Sequence, residues 1–448
     1  MSVPGTARLP SRWVEHLLAV IILGGILYSG IHLLRYGFLP PPFFYEPSDT
    51  FADWFNPAFW SRREGAYDAW KTVYLPLSFV FLRYLGIDRC YPASRALESS
   101  AGLVARDCDW LGLVMMAVIF AANIYLTWRT FRKLAPETAL PRTICVAMGA
   151  PMLNALERGN LILAGFTCLL LAFGPLLASA RLRWVFAGLA INFKIYLVAS
   201  VIPLLLKRRW RWVEGALLAT IVIYLLSYAA FGQGTPMEIF TNVRDFSGIG
   251  ATQILDVWYT ATYQPLYSVL ETGTFPMSQI IGSVWVDRLM VLIPLLTRFT
   301  QVLIMLAALA IWYRPEAFTS SRAIALGTLA AILTSEPGGY TIVCFMLFVL
   351  MEPWRGFGRK WAIVACYVMA FPFDFPIDTL PESVTELYFR DSTALVSRHV
   401  TLGPFVRPLI NMTIAWALAL TTLHDLWKEM AENAHLPSRR FRQAGPKA

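Results

Sequence analysis

Long apolar runs recur along this chain, and they limit its possible folds more than any other feature. Of the 448 residues, 57% are hydrophobic and only 15% are charged, whereas soluble domains carry about 25% charged residues. Such runs suit helices that cross a bilayer, because backbone in lipid must satisfy its own hydrogen bonds. No alternating pattern typical of a membrane barrel is present. The sequence predicts an all-α, polytopic bundle of about ten to twelve membrane helices.

We expect one integral membrane domain over 1–448, without an internal repeat or a separate soluble domain. Its predicted segments are a first span at 13–34, an external loop region at 35–109, core spans within 110–231, a second external loop at 232–287, C-terminal spans within 288–424 and a tail at 425–448. A third external loop is expected at 374–403, inside the C-terminal part.

Two places leave the topology open. Leu75–Leu85 is apolar but short for a crossing, which needs about 20 residues, so it is either re-entrant or lies in the interface. Trp184–Asn192 and Ile195–Leu206 are short apolar runs separated by Lys194. They indicate a broken helix or hairpin with Lys194 at its tip, or else one helix with Lys194 in its middle.

Charge placement predicts the orientation of the chain. Basic residues outnumber acidic ones in the turns and tail assigned to the cytoplasm, and acidic residues are in excess elsewhere. This is the positive-inside pattern, and it accounts for the net charge of +9 without a nucleic-acid partner. We therefore expect a multi-pass plasma-membrane protein with both termini in the cytoplasm and the loop region 35–109 outside.

The six cysteines divide into two groups. Cys90 and Cys108 flank a polar stretch, and they could form a disulfide if that stretch is extracytoplasmic. The other four fall within apolar runs and are interpreted as small core residues: Cys145, Cys168, Cys344 and Cys366. No cysteine spacing resembles a metal site.

The polar loop Pro47–Pro76 follows the first span directly. It carries four carboxylates together with arginine and aromatic side chains, which a plain connector between membrane helices does not need. Acidic groups among aromatic rings suit a site that handles a hydroxyl-rich substrate. We interpret Asp53, or failing that Asp49, as a catalytic base that removes a proton from an acceptor hydroxyl.

Other polar residues near the ends of apolar runs fall on the same predicted external side. A charge at a helix centre costs about 2.5–3.5 kcal/mol on insertion scales, so such residues often mark a cavity or pathway. With the two aspartates, the set comprises Glu157, Arg158, Asn160, Lys194 and Glu336, and Arg298 lies deeper, inside its apolar run, on the same predicted side. Of these, Arg158, Lys194 and Arg298 are candidates to hold a lipid-linked phosphate, whose charge grows as it leaves.

The aromatic residues of the loop have an expected role as well. Trp54, Trp60 and Trp70 could stack on sugar faces. Because nucleotide-linked donors do not reach the external face, a polyprenyl-phosphate sugar is the natural donor. The expected partners are therefore that donor, a lipid or glycan acceptor, and membrane lipids.

Three blocks of sequence carry a family resemblance. The first is DTFADWFN at 49–56, running to YLPL at 74–77. The second comprises NALERGNL at 154–161, AINFKIYL at 190–197 and RRW at 208–210, and the third is TSEPGGY at 334–340. In this order the blocks resemble glycosyltransferase family 87, of the GT-C superfamily of polytopic transferases.

The resemblance implies a membrane glycosyltransferase, often a mannosyltransferase, that uses a polyprenol-phosphate sugar and no metal or other cofactor. It implies that the first-loop aspartate is the base. Substrate contacts are expected from Trp54, Glu157, Asn160, Glu336 and Tyr340. The chain departs from the family where it has Glu-Arg-Gly-Asn for the common Gly-Gln-x-Asn, and where Glu336 and Tyr340 replace a histidine of some members, which leaves the sugar open.

Ordinary structural roles remain open for these residues. Asp53 could cap a helix that begins near Trp54, and Lys194 could extend its ammonium to the interface. Two other functions also remain: a polysaccharide polymerase or ligase, and a lipid-linked sugar transporter or flippase. The second external loop is poor in the arginines expected for the former, and the chain lacks the repeats and midplane charges expected for the latter.

Overall fold

The fold is described from a computed structural model of the chain. It covers residues 11–43, 47–92, 100–246, 259–273, 276–334, 338–379, 381–390, 392–397 and 399–432. The α-helices of these residues are α1 (Ser11–Tyr36), α2 (Ala52–Trp60), α3 (Pro76–Tyr84), α4 (Trp110–Leu134), α5 (Ala139–Ala147), α6 (Ala150–Arg158), α7 (Ile162–Phe173), α8 (Ala180–Phe193), α9 (Pro203–Leu206), α10 (Trp210–Phe231), α11 (Pro236–Phe246), α12 (Gln264–Thr272), α13 (Met277–Ile281), α14 (Ser283–Tyr313), α15 (Ser320–Thr334), α16 (Ile342–Val349), α17 (Phe357–Met369) and α18 (Gly403–Glu432). Short 3-10 turns join several of them.

The described residues include five helices that are long and apolar enough to cross a membrane: α1, α4, α10, α14 and α18. The other apolar helices are shorter, among them α7 and α15. The helical membrane class is therefore confirmed, whereas the expected ten to twelve spans are not. Hydropathy counts apolar runs, and several runs here form half-length helices that pack inside the bundle; α16, for example, is buried at every residue.

The apolar run at Leu75–Leu85 forms α3, a helix of nine residues. Its length of about 13 Å at 1.5 Å per residue is too short for a crossing. Pro76 starts the helix at a position where its missing N–H is not needed. The helix packs against α2, α8 and α10, so this run supports the polar loop that precedes it and does not span.

The chain reverses at Lys194. Gly215 of α10 lies against Trp184, and Gly188 lies against Thr220, so α8 and α10 run parallel to each other. The segment between them must then return across the bundle. Lys194 has extended backbone angles, φ −144° and ψ 106°, between α8 and the following 3-10 turn. Of the alternatives open from sequence, the hairpin with Lys194 at its tip is the one observed.

A disulfide joins Cys90 to Cys108, with their Cα atoms 5.4 Å apart. Next to it, the buried Asp109 caps α4 and accepts hydrogen bonds from the Gly112 N–H at 3.1 Å and the Tyr91 hydroxyl at 2.6 Å. Burial and the Asp109 carboxylate raise the pKa of Tyr91, which remains a neutral donor. These contacts fix the end of the external loop region to the start of the second long helix.

Four short strands lie within 374–403, the segment predicted as the third external loop, where no strand was expected. β1 (Pro376–Thr379) pairs with β4 (His399–Thr401), and β2 (Ser383–Leu387) pairs with β3 (Ser392–Val396), both antiparallel. The residues of β2 and β3 alternate, with Thr385, Leu387 and Val396 buried between exposed neighbours. β-branched residues in such an alternation favour strands over helix. These alternating runs are too short to predict strands in a sequence dominated by long apolar runs.

A network of buried ion pairs lies at the opposite end of α1 from the third external loop. Arg142 contacts both carboxylate oxygens of Glu15, at 2.9 and 3.1 Å. Arg322 contacts both oxygens of Glu352, at 2.8 and 2.6 Å. The side chains of both pairs are at most 5% exposed. The network ties α1, α5, α15 and the turn after α16 together, and no feature of the sequence predicted it.

Candidate active site

Asp49 and Asp53 are positioned by an unusual turn at the start of α2. Phe51, between them, has left-handed backbone angles of φ 63° and ψ 14°, which cost a non-glycine residue about 1–3 kcal/mol. Its N–H donates to the Glu157 carbonyl at 2.8 Å, and its ring meets Tyr388 edge-on at 5.8 Å. The turn therefore holds both aspartates against the end of α6.

Arg158 lies between the two aspartates. Its Nη1 donates to Asp49 Oδ2 at 2.7 Å and its Nη2 to Asp53 Oδ1 at 3.3 Å. The three side chains are 23–27% exposed, so they form a partly open cluster. Asp53 is not the cap of α2, since the helix begins at Ala52 and the Asp53 oxygens bond elsewhere.

Asn160 holds the second oxygen of Asp53. Its Nδ2 donates to Asp53 Oδ2 at 2.6 Å, and its own Oδ1 accepts from the Ile162 N–H at 2.9 Å. Both ends of the amide are thus used, which fixes its orientation. Asp53 is held at both oxygens, whereas Asp49 has a hydrogen bond to Arg158 at one.

Glu157 adds a third carboxyl group on the inner side of the cluster. Only 7% of the residue is exposed, and its Oε2 has no hydrogen-bond partner among the described residues. A buried polar atom without a partner is costly, so this oxygen marks a place where a substrate group or water would be stabilising.

Lys194 approaches the cluster from the tip of the hairpin. Its ammonium lies 4.5 Å from the ring centre of Tyr74 and 5.9 Å from that of Tyr340, and it interacts electrostatically with Asp53. Within the described residues it makes no hydrogen bond or ion pair. Burial raises the pKa of the Tyr74 phenol, so Lys194 faces a neutral ring.

Several predicted site residues lie elsewhere. Trp54 is 1% exposed and packs against Phe81, so its ring is closed to a sugar in this structure. Trp60 and Trp70 stack on each other at 6.1 Å. Arg298 is exposed on α14 and has no bond to the cluster. Hydropathy alone cannot show which face of a helix a residue occupies. Glu336 lies outside the described residues.

The structure brings only some residues of the three sequence blocks together. The first and second blocks supply Asp49, Asp53, Arg158 and Asn160, which are bonded to one another. Tyr74 and Arg106 were not singled out, although both contact this region. Tyr74 lies near the end of the polar loop, and its contact with Lys194, 120 residues later, gave no signal in sequence. Arg106 gave no signal in sequence.

Gly159, between Arg158 and Asn160, has a positive φ of +64° and ends α6 with a left-handed cap. A Cβ there would lie 2.9 Å from Trp54 Cβ and 3.0 Å from Met116 Sδ. We expect Gly159→Ala to destabilise the protein by about 2–3 kcal/mol, from backbone strain and the clash together. The midpoint of thermal unfolding in detergent measures this loss.

Gly232 provides the matched control for that prediction. It has nearly the same φ, +68°, at the end of α10, but a Cβ there would meet nothing within 4 Å. Gly232→Ala should therefore show the backbone cost alone, about 1 kcal/mol. Equal losses in the two variants would mean that α6 does not pack against α2 as described.

The described residues contain no group of three or more histidine, cysteine or acidic side chains placed to hold a metal ion. What they offer instead is a partly open cluster of carboxylates with two cations and one amide, next to two aromatic rings. No protein-family model matches this chain, and neither a curated protein nor a solved structure does.

Proposed function

We propose that this chain is a membrane glycosyltransferase that moves one sugar, mannose in the first instance, from a polyprenyl phosphate to a lipid or glycan acceptor. The acting face is the extracytoplasmic side of the plasma membrane. The disulfide supports this side, because disulfides persist in oxidising compartments. The positive-inside pattern of the turns supports it independently.

The observation that carries the proposal is Lys194. It is a half-buried cation that has no anionic partner within ion-pair distance among the described residues, and it interacts electrostatically with the ordered carboxylate of Asp53. A cation left in this state is stabilised by an incoming anion. A phosphate held between Lys194 and Arg158 would supply that anion, and it would bring a linked sugar next to Asp53.

The chemistry that these groups support is a single displacement. Asp53 accepts the proton of the acceptor hydroxyl as the acceptor oxygen bonds to the anomeric carbon. The bond from that carbon to the phosphate oxygen breaks, and the electron pair leaves with polyprenyl phosphate. Lys194 and Arg158 stabilise the added negative charge on the leaving phosphate. Asn160 keeps the Asp53 carboxylate in one orientation.

Arg158 must serve two sets of anions in this scheme. In the donor-free protein both of its bonded partners are aspartates. A phosphate that binds Arg158 competes with them, and the longer contact, to Asp53 at 3.3 Å, is the weaker one. Donor binding is therefore expected to free Asp53 for the acceptor hydroxyl while Asp49 continues to hold the guanidinium.

The direct test is transfer of radiolabelled mannose from synthetic polyprenyl-phosphate mannose by the purified protein in lipid nanodiscs, with extract lipids as acceptors. We expect the label in a new lipid or glycan product, where it remains after the donor has been removed. Uptake of the labelled donor by proteoliposomes without any covalent product would reject the transferase and favour a transporter. Products of many repeating units would favour a polymerase.

A further inference from the structure

Arg106 holds the backbone on both sides of Asp49. It lies on a 3-10 turn, Ala101–Asp107, far from the cluster in sequence. Its Nη1 donates to the Ser48 carbonyl at 2.7 Å and to the Thr50 carbonyl at 2.8 Å. Two bonds from one guanidinium to the carbonyls that flank a single residue leave that residue little freedom to rotate.

The same guanidinium also reaches the third external loop. Its Cζ lies 4.5 Å from the ring centre of Tyr388, and Tyr388 in turn contacts the ring of Phe51. Arg106 therefore joins three parts of the external face: the Asp49 turn, its own 3-10 turn, and the segment after β2. Planar guanidinium groups suit such combined bonding and stacking better than lysine does.

The turn that carries Arg106 is itself fixed at two points. Gly102 packs directly on α2, where an added Cβ would lie 2.3 Å from the Phe55 carbonyl oxygen. Cys108, two residues after Arg106, is bonded to Cys90. The arginine is thus mounted on a segment that can shift little relative to α2, the helix that bears Asp53.

We propose that Arg106 is the positioning residue for Asp49, and that the Cys90–Cys108 disulfide anchors it. Through Asp49, Arg106 fixes the guanidinium of Arg158, and thereby the geometry of the whole cluster. This role rests on the proposed transferase function, in which Arg158 binds the donor phosphate. Arg106 touches neither donor nor acceptor; it acts through the backbone at 48–50.

The test compares Arg106→Gln with Arg390→Gln in full-length protein. Arg390 is a close match, because its Nη2 also donates to two backbone carbonyls, those of Leu34 and Arg35, at 2.6 and 2.7 Å. It lies on the same external face but holds the end of α1. We expect transfer per folded protein to fall about tenfold in Arg106→Gln, as for lost bonds from a charged donor, and to be unchanged in Arg390→Gln.

Coupling separates positioning from general destabilisation. If Arg106 acts through Asp49, then Arg106→Gln should cause little further loss in the Asp49→Asn background, because the effects of residues in one network are not additive. If Arg106 had only a structural role, Arg106→Gln would lower sugar transfer by the same factor in wild type and in the Asp49→Asn background. Arg106→Lys, which can keep one carbonyl bond, should recover part of the transfer.

Hydrogen–deuterium exchange provides a readout that does not need the enzymatic reaction. The Phe51 N–H, bonded to the Glu157 carbonyl, should exchange faster in Arg106→Gln and in wild type after reduction of the disulfide, but not in Arg390→Gln. Unchanged exchange in 47–56 would overturn the positioning role even if wild type transfers sugar. Faster exchange in an Arg106→Gln variant of a protein that transfers no sugar would instead reject the transferase function and support the positioning role of Arg106.

Discussion

Asp53→Asn should abolish sugar transfer while the protein still folds. The asparagine keeps the size of the side chain and one oxygen, so it can still accept from Asn160 or Arg158. It cannot accept the proton of an acceptor hydroxyl, and loss of a general base costs about 10²- to 10⁴-fold in rate. The measurement is the initial rate of mannose transfer at saturating donor, per mole of folded protein.

Asp88→Asn is the matched control for this substitution. Asp88 lies in the same segment between α1 and α4 and also bonds to an arginine, with Arg62 Nε 2.8 Å from its Oδ1, but its side chain is 81% exposed. It should transfer sugar at the wild-type rate. Transfer by Asp53→Asn at the level of Asp88→Asn would reject Asp53 as the base.

Asp49→Asn distinguishes the two aspartates that the sequence left open. Asp53 is held at both oxygens, whereas Asp49 accepts from Arg158 at one and lies next to carbonyls held by Arg106. This difference indicates that Asp53 is the ordered base and Asp49 the support of Arg158. Asp49→Asn should therefore transfer sugar more slowly than wild type but faster than Asp53→Asn. If Asp49→Asn were the slower of the two variants, Asp49 would be the base and Asp53 the support of Arg158.

Hydropathy predicted the helical class because every long helix in lipid needs an apolar run, and α1, α4, α10, α14 and α18 each coincide with one. The ten to twelve predicted spans are not confirmed, because hydropathy cannot distinguish a run that crosses the bilayer from one that is buried by protein. α3 and α16 are of the second kind: both are apolar, short and packed inside the structure.

The site was predictable where polar residues interrupt apolar runs, since a charge near lipid needs a reason to be there. Arg158, Asn160 and Lys194 became candidates in this way, whereas Asp53 became one through the acidic and aromatic composition of its loop. Arg106 was not, because its partners are backbone carbonyls 56 and 58 residues away, and such bonds leave no pattern in sequence. Trp54, which was expected to contact substrate, is buried at 1% exposure against Phe81, since a tryptophan in a polar loop can be a core residue of that loop.

The buried ion pairs at the other end of α1 escaped prediction for a similar reason. Glu15 and Arg142 are 127 residues apart, and no spacing in the sequence connects them. In the structure Glu15 also accepts from the Tyr367 hydroxyl at 3.0 Å, and Arg142 donates to the carbonyls of Leu350 and Glu352. Four separate segments of chain thus depend on one guanidinium.

Arg142→Met should accordingly be among the most destabilising single substitutions in this protein. It leaves the Glu15 carboxylate, 1% exposed, without its cation, and breaking a buried pair from one side costs about 3–5 kcal/mol. We expect a lower midpoint of thermal unfolding in detergent and less protein in the membrane. Arg129→Met, which removes an exposed arginine bonded to the Tyr125 hydroxyl, should cost at most about 1 kcal/mol.

The double variant Glu15→Leu with Arg142→Met should recover much of the loss of stability, since replacing both charges by apolar groups is often neutral. If the double variant is as unstable as Arg142→Met, the arginine matters through its carbonyl bonds and not through the ion pair.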